Sequence, residues 1–237
     1  MMRSSEPRDR DFEGFRLRGR EVTRLESFSD AVFGFALTLL VVSLDVPKSF
    51  NDLIGTMRGF PAFAVCFALL ALIWNSHYKF CRRYGLDDGT ARFLTCVLLF
   101  LVLFYVYPLK FLFNLSITAL FFGGGPPVSM NAAQLSQLFV IYGLGFAAVY
   151  LAMTLLYVHA YRLRAQLELN ELEAFDTRYL ISRLLAVASV GLIAAALACI
   201  PAMRDWSGFI YFSLFPILRI SRTVHRRRRA GFLARAR

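Results

Sequence analysis

The sequence predicts an all-α membrane protein with six transmembrane helices in each subunit. Hydrophobic residues make up 57% of the 237 positions, and the mean hydropathy is +0.54, far above that of soluble globular domains. Several apolar runs are long enough to cross a bilayer, whose hydrocarbon core of about 30 Å requires roughly 20 helical residues. Composition and run length together therefore favour a multi-pass membrane protein over a soluble domain.

The first predicted span covers residues 24–44 and combines a polar beginning with a long apolar run. Neighbouring residues of an α-helix are about 100° apart, so the span divides into separate faces. The apolar face contains Ala31, Phe35, Thr38, Leu39 and Val42. A second face contains Ser27, Asp30 and Gly34, and its polar groups require partners.

The other predicted spans follow in order along the chain. They cover approximately residues 59–81, 91–113, 137–161, 179–200 and 206–220. Residues 47–58 are predicted to form a short amphipathic connector before the second span. Pro108 is expected to bend the third span, and the glycines and prolines of residues 123–127 predict a loop after it.

The distribution of basic residues predicts the orientation of these spans. Only Lys48, Arg58, Lys110 and Arg204, among 27 Lys and Arg residues, fall on the side opposite the termini. Basic residues concentrate on the cytoplasmic side of membrane proteins. We therefore expect both termini to be cytoplasmic and the protein to lie in the cell membrane.

The net charge of +11 is concentrated toward the two ends of the chain. Residues 1–23 are predicted to be a basic, largely unstructured cytoplasmic tail in which a few ordered residues lead into the first helix. Residues 221–237 are predicted to be a second basic cytoplasmic tail, and the transmembrane domain covers 24–220. We expect the tails to contact anionic lipids. No nucleic-acid-reading module accompanies them, and the four cysteines lack the spacing of metal ligands, so neither nucleic acid nor a metal is predicted.

A second polar group lies near the end of the second predicted span. Because that span runs back toward the termini, residues 74–80 should lie at the same depth as residues 24–30. Hydrogen bonds between the two groups are expected, since unsatisfied polar atoms are costly beside lipid. The first group is Arg24, Ser29 and Asp30, and the second is Trp74, Asn75 and His77.

These residues carry a resemblance to a known family. Arg24, Phe28, Ser29 and Asp30 form an Arg-x-x-x-Phe-Ser-Asp pattern, followed at once by an apolar run. The pattern resembles the first-helix signature of the transmembrane protein 175 family of potassium channels. A Trp and a His near the end of the second helix also resemble that family, in which they tie this helix to the first.

The resemblance implies a specific architecture and function. Prokaryotic members of the family are six-helix subunits that assemble as tetramers, with four first helices lining a central pore. By this resemblance the chain is a homotetrameric channel that conducts potassium in preference to sodium, with potassium as the permeant ion and no cofactor. It assigns the constriction to Phe35, Thr38, Leu39 and Val42. It assigns Arg24, Ser29, Asp30, Trp74 and His77 to a structural polar network.

Two segments differ from the family pattern. Position 35 usually carries an isoleucine in the family, whereas this chain has Phe35. The sequence Tyr-Pro-Leu-Lys at residues 107–110 stands where a less charged, proline-containing segment is usual. The first difference concerns conductance and selectivity, and the second concerns the outer vestibule.

Other interpretations of the same residues remain open at this point. Ser29 and Asp30 are also suited to capping a helix, and Trp74 and His77 to the aromatic belt of the membrane interface. A small secondary transporter would use Asp30 and His77 as a proton relay, although the sequence shows no inverted repeat. A membrane enzyme would require a polar catalytic cluster, which the predicted spans do not offer.

Overall fold

The computed structural model describes residues 10–11, 13–42, 48–121 and 130–235, and this part of the chain is helical almost throughout. Its seven α-helices are α1 (Arg24–Val42), α2 (Phe50–Arg58), α3 (Phe60–Tyr84), α4 (Gly89–Phe121), α5 (Ala132–Arg162), α6 (Glu171–Ala198) and α7 (Leu214–Arg235). The predicted loop at residues 123–127 lies outside the described residues.

Within the described residues, four helices are long and apolar enough to cross a membrane. They are α3, the first part of α4 (Gly89–Phe113), α5 and α6. These helices correspond to the second to fifth predicted spans, and they establish a multi-pass membrane protein. The count of six spans and the cytoplasmic position of the termini stay predictions.

The ends of the helices are set by local sequence. Asn131 and Asn170 open α5 and α6 with reciprocal capping boxes, in which Gln134 and Glu173 return a side-chain bond to the cap backbone. Gly85 closes α3 in the left-handed conformation at φ 60°. The α4 helix continues through Pro108, and the bend expected there stays a prediction.

The first helix packs into a buried core that it shares with neighbouring helices. The α1 helix packs against both α3 and α4, and α4 in turn packs against α5. The closest helix pair is α5 and α6, which approach at Gly143 and Gly191, where an added Cβ would lie only 2.6–2.7 Å from the partner's carbonyl oxygen. Small residues let membrane helices pack at such short range.

The sixth predicted span, residues 206–220, differs from the structure. Two short 3-10 helices, Arg204–Trp206 and Phe209–Ser213, precede α7. The α7 helix then runs to Arg235, so the region predicted as a basic C-terminal tail is helical. The Arg229 guanidinium lies 3.2 Å from the carboxylate of Asp176, so the C-terminal part of α7 is paired with α6.

Residues 13–23 are more extensively ordered than the few residues expected to lead into the first helix. Phe15 is buried, with an exposed fraction of 1%. The backbone N–H groups of Arg18 and Gly19 donate to the carbonyl oxygen of Arg82 at 3.1 Å. The Arg18 side chain also pairs with Glu173 at 2.6 Å. These long-range partners fix the segment, and its basic composition gave no sign of them.

Candidate functional site

The first helix has two chemically similar faces in very different surroundings. Phe33 is 3% exposed, and Ala36 and Leu40 are fully buried; we call these three residues the packed face. Phe35 is 69% exposed, and Thr38 is also exposed; we call these two residues the open face. Apolar surface of this kind, exposed in one subunit, indicates contact with lipid, with another subunit or with a pore.

The residues predicted to form the constriction differ in how exposed their side chains are. Phe35 and Thr38 lie on the open face, and the Thr38 hydroxyl donates to the carbonyl oxygen of Phe35 at 2.8 Å. Leu39 is half-buried beside them. Val42 is the last residue of α1, and its side chain lies outside the described part of the structure.

One hydrogen bond links the beginning of α1 to α3. The indole nitrogen of Trp74 donates to the Asp30 carboxylate, with 2.7 Å between Nε1 and Oδ1. The Trp74 ring is stacked on Tyr78, with 5.7 Å between ring centroids. The bond therefore joins α1 to α3 beside this stacked pair.

Other members of the predicted polar network do not make the expected bonds. Ser29 is fully buried, but its hydroxyl donates within α1, to the carbonyl oxygen of Leu25 at 2.7 Å. Arg24 is exposed, and it forms no hydrogen bond or ion pair with a residue that the structure describes. Arg24 instead lines an open cavity with Asp87 and Arg92, at the beginning of α4.

His77 is buried on α3 but does not bond to α1. Its Nε2 atom lies 3.5 Å from the hydroxyl of Thr95 on α4. Its ring lies 6.2 Å from the ring of Phe33, centroid to centroid. His77 therefore connects α3 with α4 and supports the packed face of α1. The sequence carries no signal for Thr95, because an isolated threonine in an apolar span has no distinctive spacing.

The opposite end of α1 has a partner that the sequence analysis missed. The Lys110 ammonium donates to the carbonyl oxygen of Leu40, with 2.9 Å between Nζ and the oxygen. The last carbonyls of a helix lack donors from within it and carry partial negative charge, so a cation is favourable there. Lys110 stood out in the sequence as an unusual charge in an apolar span, and that signal could have suggested this role.

The segment before α1 is held by ion pairs at the basic side of the protein. Arg83 of α3 pairs with Asp11 at 2.6 Å and also with Glu13. Burial acts to raise the pKa of Glu13, but the hydrogen bond and charge of Arg83 outweigh it and keep this pKa below its usual value. Arg229 of α7 donates to the Glu13 carbonyl oxygen as well. The chain that leads into α1 is thus connected to α3, α6 and α7.

These contacts describe a positioned helix rather than a reaction centre. Across the residues that the structure covers, no three His, Cys, Asp or Glu side chains are close enough to hold a metal ion. The α1 helix is attached at both ends, by Asp30 and at the carbonyl of Leu40, and packed along one face. The arrangement fixes the direction in which the open face points.

Comparison with known proteins agrees with this geometry. The family described as the endosomal/lysosomal potassium channel TMEM175 matches residues 24–108, which span α1 to the first half of α4. A potassium channel of Marivirga tractuosa is 39% identical over 217 residues, covering 86% of this chain and 87% of that protein. A potassium channel of Chamaesiphon minutus is 30% identical over 37% of this chain and 47% of its own length.

A solved structure extends the likeness to the whole fold. The crystal structure of a variant of the potassium channel MtTMEM175, bound to a nanobody fusion protein, superposes with a TM-score of 0.82 at 36% identity. The match covers 92% of this chain and 99% of that one. The fold, the first-helix pattern and the sequence identity along most of the chain all match the TMEM175 family. The protein belongs to this family.

Proposed function

We propose that the protein is a passive potassium channel in which several copies of α1 surround a central pore. The observation that carries this proposal is the contrast between the two faces of α1. A helix attached at both ends and packed on one side leaves Phe35 69% exposed in the single subunit. Four copies around an axis, as the family resemblance implies, would turn the open faces toward one another.

In this proposal Phe35, Thr38, Leu39 and Val42 form successive layers of the constriction. Hydrophobic layers can close a pore by excluding water, so no charged plug is needed. The Thr38 hydroxyl already donates to its own helix, which leaves its oxygen lone pairs available to a partly dehydrated cation. Potassium is preferred over sodium in this proposal because it loses its hydration shell at lower cost.

The polar network has a supporting role in this channel. We assign Asp30 and Trp74 to fixing the rotation of α1, and His77 to supporting the packed face through Phe33. Ser29 lets a neighbouring helix approach α1 closely at this buried position, since its hydroxyl is hydrogen-bonded within α1. Arg24 is exposed at the basic end and is assigned to the membrane surface or to a neighbouring subunit.

A proton-coupled carrier using Asp30 and His77 is not favoured. A relay requires the two groups to be joined by hydrogen bonds, directly or through one intermediate. Asp30 is bonded to Trp74, whose indole donates only and cannot pass a proton onward. The described neighbours of the His77 ring nitrogens are Thr95 and Cys81. The two groups thus have separate partners.

The orientation follows from the charge distribution. We propose that the protein lies in the cell membrane with both termini in the cytoplasm, and that its basic ends contact anionic lipids. The N-terminal segment and α7 carry most of this charge on one side of the molecule.

Ion flux from liposomes containing the purified protein tests the function. Potassium flux should follow the potassium gradient, exceed sodium flux and persist when the proton gradient is abolished by an ionophore. Empty liposomes and liposomes containing the Asp30→Ala variant serve as controls. Potassium flux coupled to proton flux in a fixed ratio would show that the protein is a carrier and not a channel.

A further inference from the structure

A groove of about 390 Å³ lies between α6 and α7 at the basic end of the molecule. Its volume falls in the roughly 300–1,000 Å³ range of small-molecule sites. The groove is lined by Phe175, Arg178, Tyr179, Ser182, Ser221, Val224, His225 and Arg228. The pore proposal assigns no role to any of these residues.

The charge of the groove is positive. Its lining contains two arginines and, among the described residues, no carboxylate. The nearest acid, Asp176, is already engaged: both of its oxygens lie 3.2 Å from Arg229, and one lies 3.1 Å from His225. Arg228 is exposed and forms no ion pair within the described part of the chain. Its charge is therefore available to a ligand.

Neutral groups in the groove add hydrogen-bonding capacity. The Tyr179 hydroxyl is buried and has no hydrogen-bond partner within the described structure. Its oxygen is closed to solvent, so the groove presents the Tyr179 ring, and the neutral hydroxyls in its lining are those of Ser182 and Ser221. The Tyr179 ring is held by the His225 imidazole, which stacks on it at 3.7 Å between centroids and 8° between planes. The floor of the groove is therefore rigid.

In the proposed orientation, the groove lies at the end of α6 and α7 that faces the lipid headgroups. Residues 175–182 lie in the first three turns of α6, next to the arginine run of α7. Leu185 and Ile220 are exposed one turn farther from the basic end, where acyl chains would lie. A phosphate in the groove would have arginines on one side and apolar surface on the other.

We propose that the α6–α7 groove binds a phosphate group, supplied by an anionic phospholipid headgroup or by a soluble phosphate. Arg228 and Arg178 would donate charge-assisted hydrogen bonds to the phosphate oxygens. A lipid as the source of the phosphate rests on the proposed orientation in the membrane. The proposal depends on the arrangement of α6 and α7 and is independent of what the pore conducts.

Native mass spectrometry of the purified full-length protein tests this site. Bound dioleoylphosphatidylglycerol is counted against dioleoylphosphatidylcholine, and inorganic phosphate is added as a competitor. The test variant is Arg228→Gln, and the matched control is Arg227→Gln, its neighbour outside the groove. Both remove one exposed charge, so they weaken general attraction to an anionic surface equally.

We expect Arg228→Gln to weaken phosphatidylglycerol binding by about ten-fold, as the loss of a hydrogen bond between charged groups predicts. Arg227→Gln should retain most of the binding. Ser221→Trp, which fills the groove without changing charge, should reproduce the loss. If inorganic phosphate cannot displace phosphatidylglycerol, the site is specific for a lipid headgroup. If inorganic phosphate displaces it fully, the site binds phosphate groups in general.

Two results would overturn the proposal. Equal losses in Arg228→Gln and Arg227→Gln would show diffuse attraction to a basic surface. Absence of both lipid and phosphate from the wild-type protein would show that the groove does not bind a phosphate group. Because binding is counted without any ion flux, neither result bears on conduction.

Discussion

The two faces of α1 show how one apolar helix can meet two separate requirements, packing within the subunit and exposure outside it. Phe33 and Phe35 are two residues apart and chemically identical, yet one is 3% exposed and the other 69%. On the packed face, side-chain volume is constrained by α3 and α4. On the open face, the described residues of the subunit leave most of the Phe35 side chain uncovered. Substitutions on the first face should therefore change stability, and those on the second should change conduction.

The largest expected effect on stability is that of Phe33→Ala. Removing a buried phenylalanine costs about 3–5 kcal/mol, because the lost burial adds to the cost of the cavity. The ring also faces His77, at 6.2 Å between centroids, so two helices lose a contact. Thermal unfolding in detergent, followed by fluorescence-detected size exclusion, measures the loss. The protein that survives reconstitution should keep the wild-type ratio of potassium to sodium flux.

A smaller effect is expected where α1 is tied to α3. Asp30→Ala removes the acceptor of the Trp74 indole, at a cost of about 1–3 kcal/mol in assembly or thermal stability. Trp74→Phe removes the donor and keeps much of the ring. In the double variant the two losses should not add, because each already breaks the same bond. Fully additive losses would mean that the bond does not hold α1 in place. Reversed ion selectivity in Asp30→Ala would place Asp30 in the pore.

Much of this arrangement could be predicted from the sequence, because it depends on periodicity. The 100° spacing separated Phe35 and Thr38 from Asp30, and the opposite directions of two helices brought Asp30 to the depth of Trp74. Contacts that depend on packing alone could not be predicted in this way. Phe15 in the core and Thr95 beside His77 carry no periodic signal, since their positions follow from packing rather than from local pattern.

The charge of Lys110 in the sequence indicated only part of its structural role. The sequence placed it among the few basic residues opposite the termini, in a segment that differs from the family pattern. The structure places its amine 2.9 Å from the Leu40 carbonyl oxygen. Lys110→Met should lower stability by about 1 kcal/mol, because a carbonyl at the negative end of α1 loses a charged donor. Lys110→Arg, which keeps a charged donor, is the control. Equal stability of the methionine variant and the wild type in thermal unfolding would show that α4 does not hold this end of α1.

The smallest expected effect on stability, and the largest on function, is that of Phe35→Ala. The side chain makes few contacts within its own subunit, so its removal should change subunit stability by less than about 0.5 kcal/mol. In a four-fold pore every side chain appears four times at one level, and four benzyl groups would narrow or close the bore. Four alanines leave a wider and less hydrophobic constriction, through which an ion retains more of its water. We therefore expect potassium flux into liposomes to rise several-fold and the preference over sodium to fall. Phe33→Ala provides the matched control, since it removes the same side chain about 160° away on the same helix. If Phe33→Ala changed conduction while Phe35→Ala left both flux and ion preference unaltered, the open face would not be the pore face, and the assignment of Thr38, Leu39 and Val42 would fail with it.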